Sequence, residues 1–421
     1  MLLTMTLPVL VAMGQNTKTD IQNANWIENA AHNHGPFQAN LHTESGHSPV
    51  EAKWAVSVRP TFARNHSTPE IAAIKAAKMQ EKLATLGTGA EEFDDARVVT
   101  PLLGQNMEGN WSVVGTPPDN TMAISNGGFI VSANNDGVEY HNAAGQFLYV
   151  DFWANFINDP SLTGMIYDPK VIYDSQADRF VMVVLHGSTA ATSKVLVCFS
   201  KTNNPLTGGG WWIYNLSGNP LNNNCWWDYP NLGVSNNEIY VTGNLFTSGN
   251  NTFNQAVVYQ ISKAQGYAGG TINFDTWSGF SSTPFAAFTL VPASFGQQGN
   301  FGPGIYFVSN AAGGNNKIRL WHLTNDLGSN PQFNTVSVNT TAYSPAAPGL
   351  QAGTADQLDN GDCRIQNAFF LNGIIHFTFC SDAGSGWNGI NYNRLTVANN
   401  TNTSVMLGQV GTADLCYPAV A

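Results

Sequence analysis

One strand–turn–strand pattern recurs along this chain, and it constrains the fold more than any other feature. It reads PPDNTMAISNGGFIVSANN at 117–135, YDPKVIYDSQADRFVMVVL at 167–185, WDYPNLGVSNNEIYVTGNL at 227–245 and GDCRIQNAFFLNGIIHFTF at 361–379, with a weaker copy, TLVPASFGQQGNFGPGIYFVSN, at 289–310. Each copy has a polar or proline-bearing lead-in, a few mostly apolar residues, a turn and a second apolar run, which is hairpin chemistry. Turn centres near Asn126, Gln176, Asn236, Gln298 and Asn372 are 50, 60, 62 and 74 residues apart. Further strands follow the hairpins, such as KVLVCFSKT and GWWIYNL after the second copy, NQAVVYQISK, NKIRLWHLT and GINYNRLTVA after later ones. Four strands per unit at this spacing match propeller blades, whereas a β-sandwich needs about 100 residues and about seven strands per domain. A parallel β-helix would repeat at a much shorter interval. The expected fold is therefore an all-β propeller over 101–421, with about five complete four-stranded blades. CYPAVA at the end (Cys416 to Ala421) resembles another lead-in, so the start of a further blade is expected, from a parent ring of six to eight.

Composition agrees with an exported β protein. Only 11% of the 421 residues are charged, against about 25% in ordinary soluble proteins, and Asn, Gly, Ser and Thr fill the gap. The net charge is −11 with no basic stripe, which excludes a nucleic-acid partner on electrostatic grounds. Residues 1–14 read as a signal peptide, with Ala12 and Gly14 before the expected cleavage at Gln15, although the basic n-region is missing. No run is long enough to span a membrane. Residues 15–100 form an N-terminal segment holding five of the nine histidines (His32, His34, His42, His47 and His66), whose spacing fits no metal-ligand pattern. A helix is predicted near 69–86, capped by Thr68, opened by Pro69 and stopped by Gly87. Its buried face is expected to carry Ile71, Ile74, the Lys78 stem and Leu83 or Leu86.

The lead-in motifs, with SKTNNP at 200–205, resemble a group of secreted, largely uncharacterised bacterial β-propeller proteins exported to the cell surface. The likeness covers about Leu103 to Ala421. It implies a propeller and a secreted or cell-surface location, and it carries no activity.

Candidate sites come from the residues alone. Trp226, Trp227, Trp211, Trp212 and Trp387 are candidate ligand contacts, because aromatic faces stack on the apolar faces of sugars; the competing reading places them in packing between blades. In the lead-ins, Asp228 and Pro230 are matched with Asp168 and Pro169 and read as structural. The best isolated catalytic pair is Arg364 beside Asp362, with Asp228 as a further carboxylate. A sialidase-like site would need several arginines on one carboxylate, an acid and a tyrosine nucleophile. Arg179, by contrast, is expected to form a structural ion pair with Asp174 or Asp178. Asp356, Asp359 and Asp362 are the candidate ligands for calcium, the one cofactor considered; their spacing lacks the EF-hand pattern. A turn at Asn372–Gly373 would bring Cys363 and Cys380 close enough for a disulfide. No CxxC, catalytic-triad signature, phosphate loop or dinucleotide fingerprint is present. These features are read first as an exported binding or adhesion module recognising a glycan or surface polymer. The alternatives are a secreted glycoside hydrolase or lyase and a structural surface-layer component.

Overall fold

The computed structural model describes residues 68–88, 107, 109–110, 117–295, 302–351 and 353–420, and the backbone of 27–28, 31–33 and 40–43. The expected signal peptide lies outside them, as does most of the histidine-rich segment. Three short strands come first, β1 (Ile27–Glu28), β2 (Ala31–Asn33) and β3 (Asn40–Thr43), then helix α1 (Pro69–Thr85). Blade 1 comprises β4 (Thr121–Ile124), β5 (Ile130–Ala133), β6 (Gly137–His141) and β7 (Phe147–Phe152), followed by α2 (Trp153–Ile157). Blade 2 comprises β8 (Ile166–Asp174), β9 (Arg179–His186), β10 (Lys194–Ser200) and β11 (Trp211–Ser217). Blade 3 comprises β12 (Cys225–Val234), β13 (Glu238–Thr247), β14 (Phe253–Ser262) and, after α3 (Lys263–Ala268), β15 (Phe274–Ser278). Blade 4 comprises β16 (Val291–Phe295), β17 (Ile305–Asn310), β18 (Asn315–Leu323) and β19 (Phe333–Tyr343). A small ribbon, β20 (Gly349–Leu350) and β21 (Gln357–Leu358), precedes blade 5, which comprises β22 (Ile365–Leu371), β23 (Ile374–Gly384), β24 (Trp387–Thr396) and β25 (Thr401–Leu407).

Within every blade the four strands pair in chain order. The first strands β4, β8, β12, β16 and β22 stand side by side in succession, and β16 pairs with β22 in parallel. This is the expected propeller, with the first strand of each blade innermost. Parallel inner strands bring all their N-terminal ends to one end of the central channel. The N-terminal segment joins the same architecture: β3, β2 and β1 add a fifth, outer strand to blades 2, 3 and 4.

Packing follows from strand alternation. Side chains point alternately to the two faces of a sheet, and an interior blade is covered on both. Phe180 to Leu185 of β9 are accordingly all fully buried. One apolar cluster fills the seam between blades 1 and 2, a second that between blades 2 and 3, and a third those from blade 3 through 5. Among the described residues no such cluster joins blades 5 and 1. Met122 and Ile124 on β4, and Val405 and Leu407 on β25, are instead exposed. The hairpin of blade 5 turns at Asn372–Gly373 as expected, with both residues at positive φ (50° and 77°), the type I′ geometry that suits the strand twist.

Helix α1 begins and ends where the sequence predicts, and the Thr68 hydroxyl accepts from the Ile71 N–H. Its buried face differs from the expected one. Leu83 and Leu86 are exposed, and the face turned to the propeller carries Ile71, Lys75, Lys78 and Lys82. The reason is an acidic surface under the helix. Lys75 Nζ lies 2.8 Å from Asp359, Lys78 Nζ 2.9 Å from Asp382 and Lys82 Nζ 2.7 Å from Asp414. Lys82 is fully buried and also donates to the Pro348 carbonyl (2.8 Å). Trp387 closes the contact, its indole N–H donating to Thr85 Oγ1 (2.9 Å).

Removing one partner of a buried ion pair leaves the other charge unpaired, at a cost of about 3–5 kcal/mol. Lys82→Met and Asp414→Asn should each destabilise by that order in urea unfolding, and the double variant by clearly less than the sum. Glu238, at the start of β13, gives a pH test. Burial pushes its carboxyl up to about 7, against bonds from Leu327 N, Gln260 and Tyr240 that favour the ionised form. The folded protein therefore holds a proton there that the unfolded chain releases near pH 4.5. Stability falls as pH rises from about 4.5 to about 7, by ~3 kcal/mol, and is flat in this respect above. Glu238→Gln should remove that slope in unfolding measured across this range.

Candidate active site at one end of the channel

Three of the five inner strands, β8, β12 and β22, carry a local irregularity. In β8, Asp168 and Pro169 together face one residue of β9; in β12, Tyr229 and Pro230 face Gly243 of β13. In β22, Gln366 is inserted between the pairs Ile365–Phe379 and Asn367–Thr378. Such bulges re-aim side chains and recur beside active sites. Asp168 and Tyr229 both take left-handed backbone (φ 52° and 57°), as do Asp119 just before β4 (49°) and Thr289 just before β16 (59°). Aspartate tolerates this conformation, but for tyrosine and threonine it costs about 1–3 kcal/mol. Tyr417, before Pro418, repeats it (53°). Gly243 is required opposite the second bulge, because a Cβ there would fall 1.8 Å from the Trp227 indole nitrogen. The equivalence of blades is thus Asp119, Asp168, Tyr229 and Thr289. Asp228 corresponds to Tyr167, not to Asp168 as the sequence pairing has it; the proline, not the acid, keeps the register.

These positions gather charge at the channel end. Asn135 ties two of them together, donating from Nδ2 to Asp119 (2.8 Å) and accepting from the Asp168 N–H (2.6 Å). Burial holds the Asp168 carboxyl well above the ordinary aspartate range, reinforced by the negative charges of Asp228 and Asp119 and by a hydrogen bond with Asp119, while Lys170 opposes it. Of these carboxyls, Asp168 is the one whose surroundings favour keeping a proton. Across the channel Arg364 is buried, held by Asp362 through Nε (2.8 Å) and Nη2 (2.6 Å). Its guanidinium carbon lies 4.5 Å from the centre of the Tyr229 ring and 4.4 Å from that of Phe288. The Tyr229 hydroxyl donates to Gln366 Oε1 (3.3 Å), and burial pushes its pKa up to about 12. A neutral phenol of that kind is a poor nucleophile, and one arginine already claimed by an aspartate is not the arginine cluster of a sialidase-like site.

The catalytic candidates Asp228, Asp362 and Arg364 are brought together here, with Arg364 acting electrostatically on Asp228. The sequence reading missed Asp119, Asp168 and Tyr229 as site residues. Their signal is a shared slot, one residue before Asn120, Pro169 or Pro230, and it is visible only once the bulge sets the alignment.

Other candidates are displaced. Trp226, Trp227, Trp211 and Trp387 are buried, so they cannot serve as an exposed ligand platform. Adjacent residues point to opposite faces of a blade covered on both sides, so Trp226 packs on Phe246 and Trp227 stacks on Tyr259. Trp212 is half-buried, with Lys201 Nζ 4.0 Å above its ring. The calcium candidates separate: Asp359 pairs with Lys75, Asp362 with Arg364, and Asp356 is exposed. Among the described residues no group of three acidic, histidine or cysteine side chains converges on a metal position. Cys363 and Cys380 are not bridged to one another. The expected Cys363–Cys380 bridge does not form because the hairpin places Ile365 opposite Phe379, which aligns Cys380 with Arg364. Arg179 donates to the carbonyls of Ala177 and Asp178, and Asp174 pairs with Lys263 (2.8 Å).

No family model and no curated protein matches this chain. Among solved structures it is similar to the polysaccharide lyase Uly1, at 8% identity and a TM-score of 0.35, over 69% of this chain and 58% of the lyase. It is similar also to an α-L-arabinanase of Cellvibrio cellulosa solved with arabinohexaose (10% identity, TM-score 0.30, 66% of this chain and 91% of that one). A third is a GH43 endo-arabinanase of Bacillus licheniformis (13%, 0.28, 71% and 100%). The chain thus spans under two thirds of the length of the lyase, and likenesses this distant do not bear on its activity.

Proposed function

We propose that this protein is an exported glycoside hydrolase that cleaves an uncharged glycan at the bulged end of its propeller channel. The observation that carries this reading is the Asn135 link between Asp119 and the Asp168 bulge, with Asp228 of the next blade in electrostatic reach and the Asp168 carboxyl held well above the ordinary aspartate range. Glycoside hydrolysis needs a carboxylic acid that protonates the leaving oxygen and a second carboxylate that activates water or attacks the sugar. Asp168 is the proton donor. Asp228 is the second carboxylate, and Asp119 keeps the proton on Asp168 by charge and hydrogen bond. The glycan is uncharged because Asp119 and Asp228 leave the site acidic, Lys170 offsetting them only in part, while Arg364, its buried cation, is neutralised by Asp362. A lyase, which abstracts a proton from a uronate, would face that negative field.

Release of reducing ends from a panel of neutral polysaccharides tests the reading. Asp168→Asn and Asp228→Asn should each lower kcat by about 10²–10⁴. Asp119→Asn should leave more activity but move the alkaline limb of kcat/KM to lower pH, because Asp168 then gives up its proton more readily. Hydrolysis unchanged in Asp168→Asn, or cleavage confined to uronate polymers with an unsaturated product, would contradict it.

A further inference from the structure

The slot that holds an acid in blades 1 and 2 holds an aromatic ring in blade 3. Tyr229 stands in the bulge position of Asp168, one blade on, in a backbone conformation that tyrosine adopts only at a cost. Glycine would fit that conformation freely. The ring is enclosed at its hydroxyl end and covered on one face by Arg364, yet it stays partly exposed, unlike the large aromatics of the seams. It is nevertheless fixed. Pro230 follows it, Gln366 takes its hydroxyl, and the Arg364 guanidinium lies 4.5 Å from its centre, itself locked by Asp362 and Phe288. A cation beside a ring polarises it and holds its plane. Tyr229 also lies within electrostatic reach of Asp119 and Asp168. A strained, rigid aromatic surface thus stands beside the acid group.

We infer that Tyr229 is the stacking platform of a saccharide-binding subsite, taking the apolar face of an uncharged sugar ring next to the bond presented to Asp168. This inference rests on the hydrolase reading and specifies its substrate contact. Arg364 and Gln366 are positioning residues that act through the ring. The strain is compatible with selection for this surface rather than for stability, a trade common at functional sites.

Binding and turnover separate the two claims. In the Asp168→Asn background, calorimetry is run with neutral hexasaccharides of glucose, xylose, galactose and arabinose. At least one should bind. Tyr229→Phe, which keeps the ring and loses only the Gln366 bond, should bind it within about threefold of the parent, and Tyr229→Ala about tenfold or more weakly. Tyr229→Gly, which relieves the backbone, should lose affinity to the same degree while its melting temperature falls by less than that of Tyr229→Ala. In the otherwise unmutated enzyme Tyr229→Ala should act mainly on KM. Unchanged affinity in Tyr229→Ala and Tyr229→Gly, or no binding by any of the four sugars, overturns the subsite. If Asp168→Asn is as active as the unmutated protein, the hydrolase reading fails instead, and the affinity series still reports on the platform.

Discussion

Every interior blade of this propeller is covered on both faces, and the rest of the molecule follows from that constraint. Alternation then gives no solvent side to the central strands, so consecutive apolar residues such as Phe180 to Leu185 are all buried. Large aromatics become seam filling, with Trp227 stacked on Tyr259 and lying over Gly243. Chemistry is excluded from the blade faces and displaced to the strand ends. There the bulges at Asp168, Tyr229 and Gln366 turn side chains out of register with the sheet. The proposed site is a product of the same packing that removes the tryptophans from consideration.

The repeat made most of the fold legible. Hairpin spacing, third strands such as NKIRLWHLT and the Asn372–Gly373 turn are local features, and local chemistry sets them. The helix limits were legible for the same reason, from Thr68, Pro69 and Gly87. The face of that helix was not. Apolar spacing favours Ile71, Ile74 and Leu83, but Asp359, Asp382 and Asp414 lie under it and draw in three lysines. Those aspartates lie hundreds of residues away in the chain, and no window of sequence shows the pairing.

The site was half legible for a related reason. Asp228, Asp362 and Arg364 were marked by residue type. Asp119, Asp168 and Tyr229 are linked only by a backbone conformation, and matching acid to acid hides the equivalence that the prolines define. The tryptophans misled because their chemistry suits a sugar while the two-sided burial of blade 3 fixes their place. Cys363 and Cys380 misled by one step of register, since a hairpin decides which residues face one another and not merely which are near.

The account turns on Asp168 keeping its proton. Carbon-13 NMR of the folded protein, labelled at aspartate carboxyls and assigned with Asp168→Asn, measures this directly. The account predicts that the Asp168 resonance titrates well above the bulk of the aspartates, and that Asp119→Asn moves it down. A resonance titrating with the exposed aspartates would contradict the proposed chemistry.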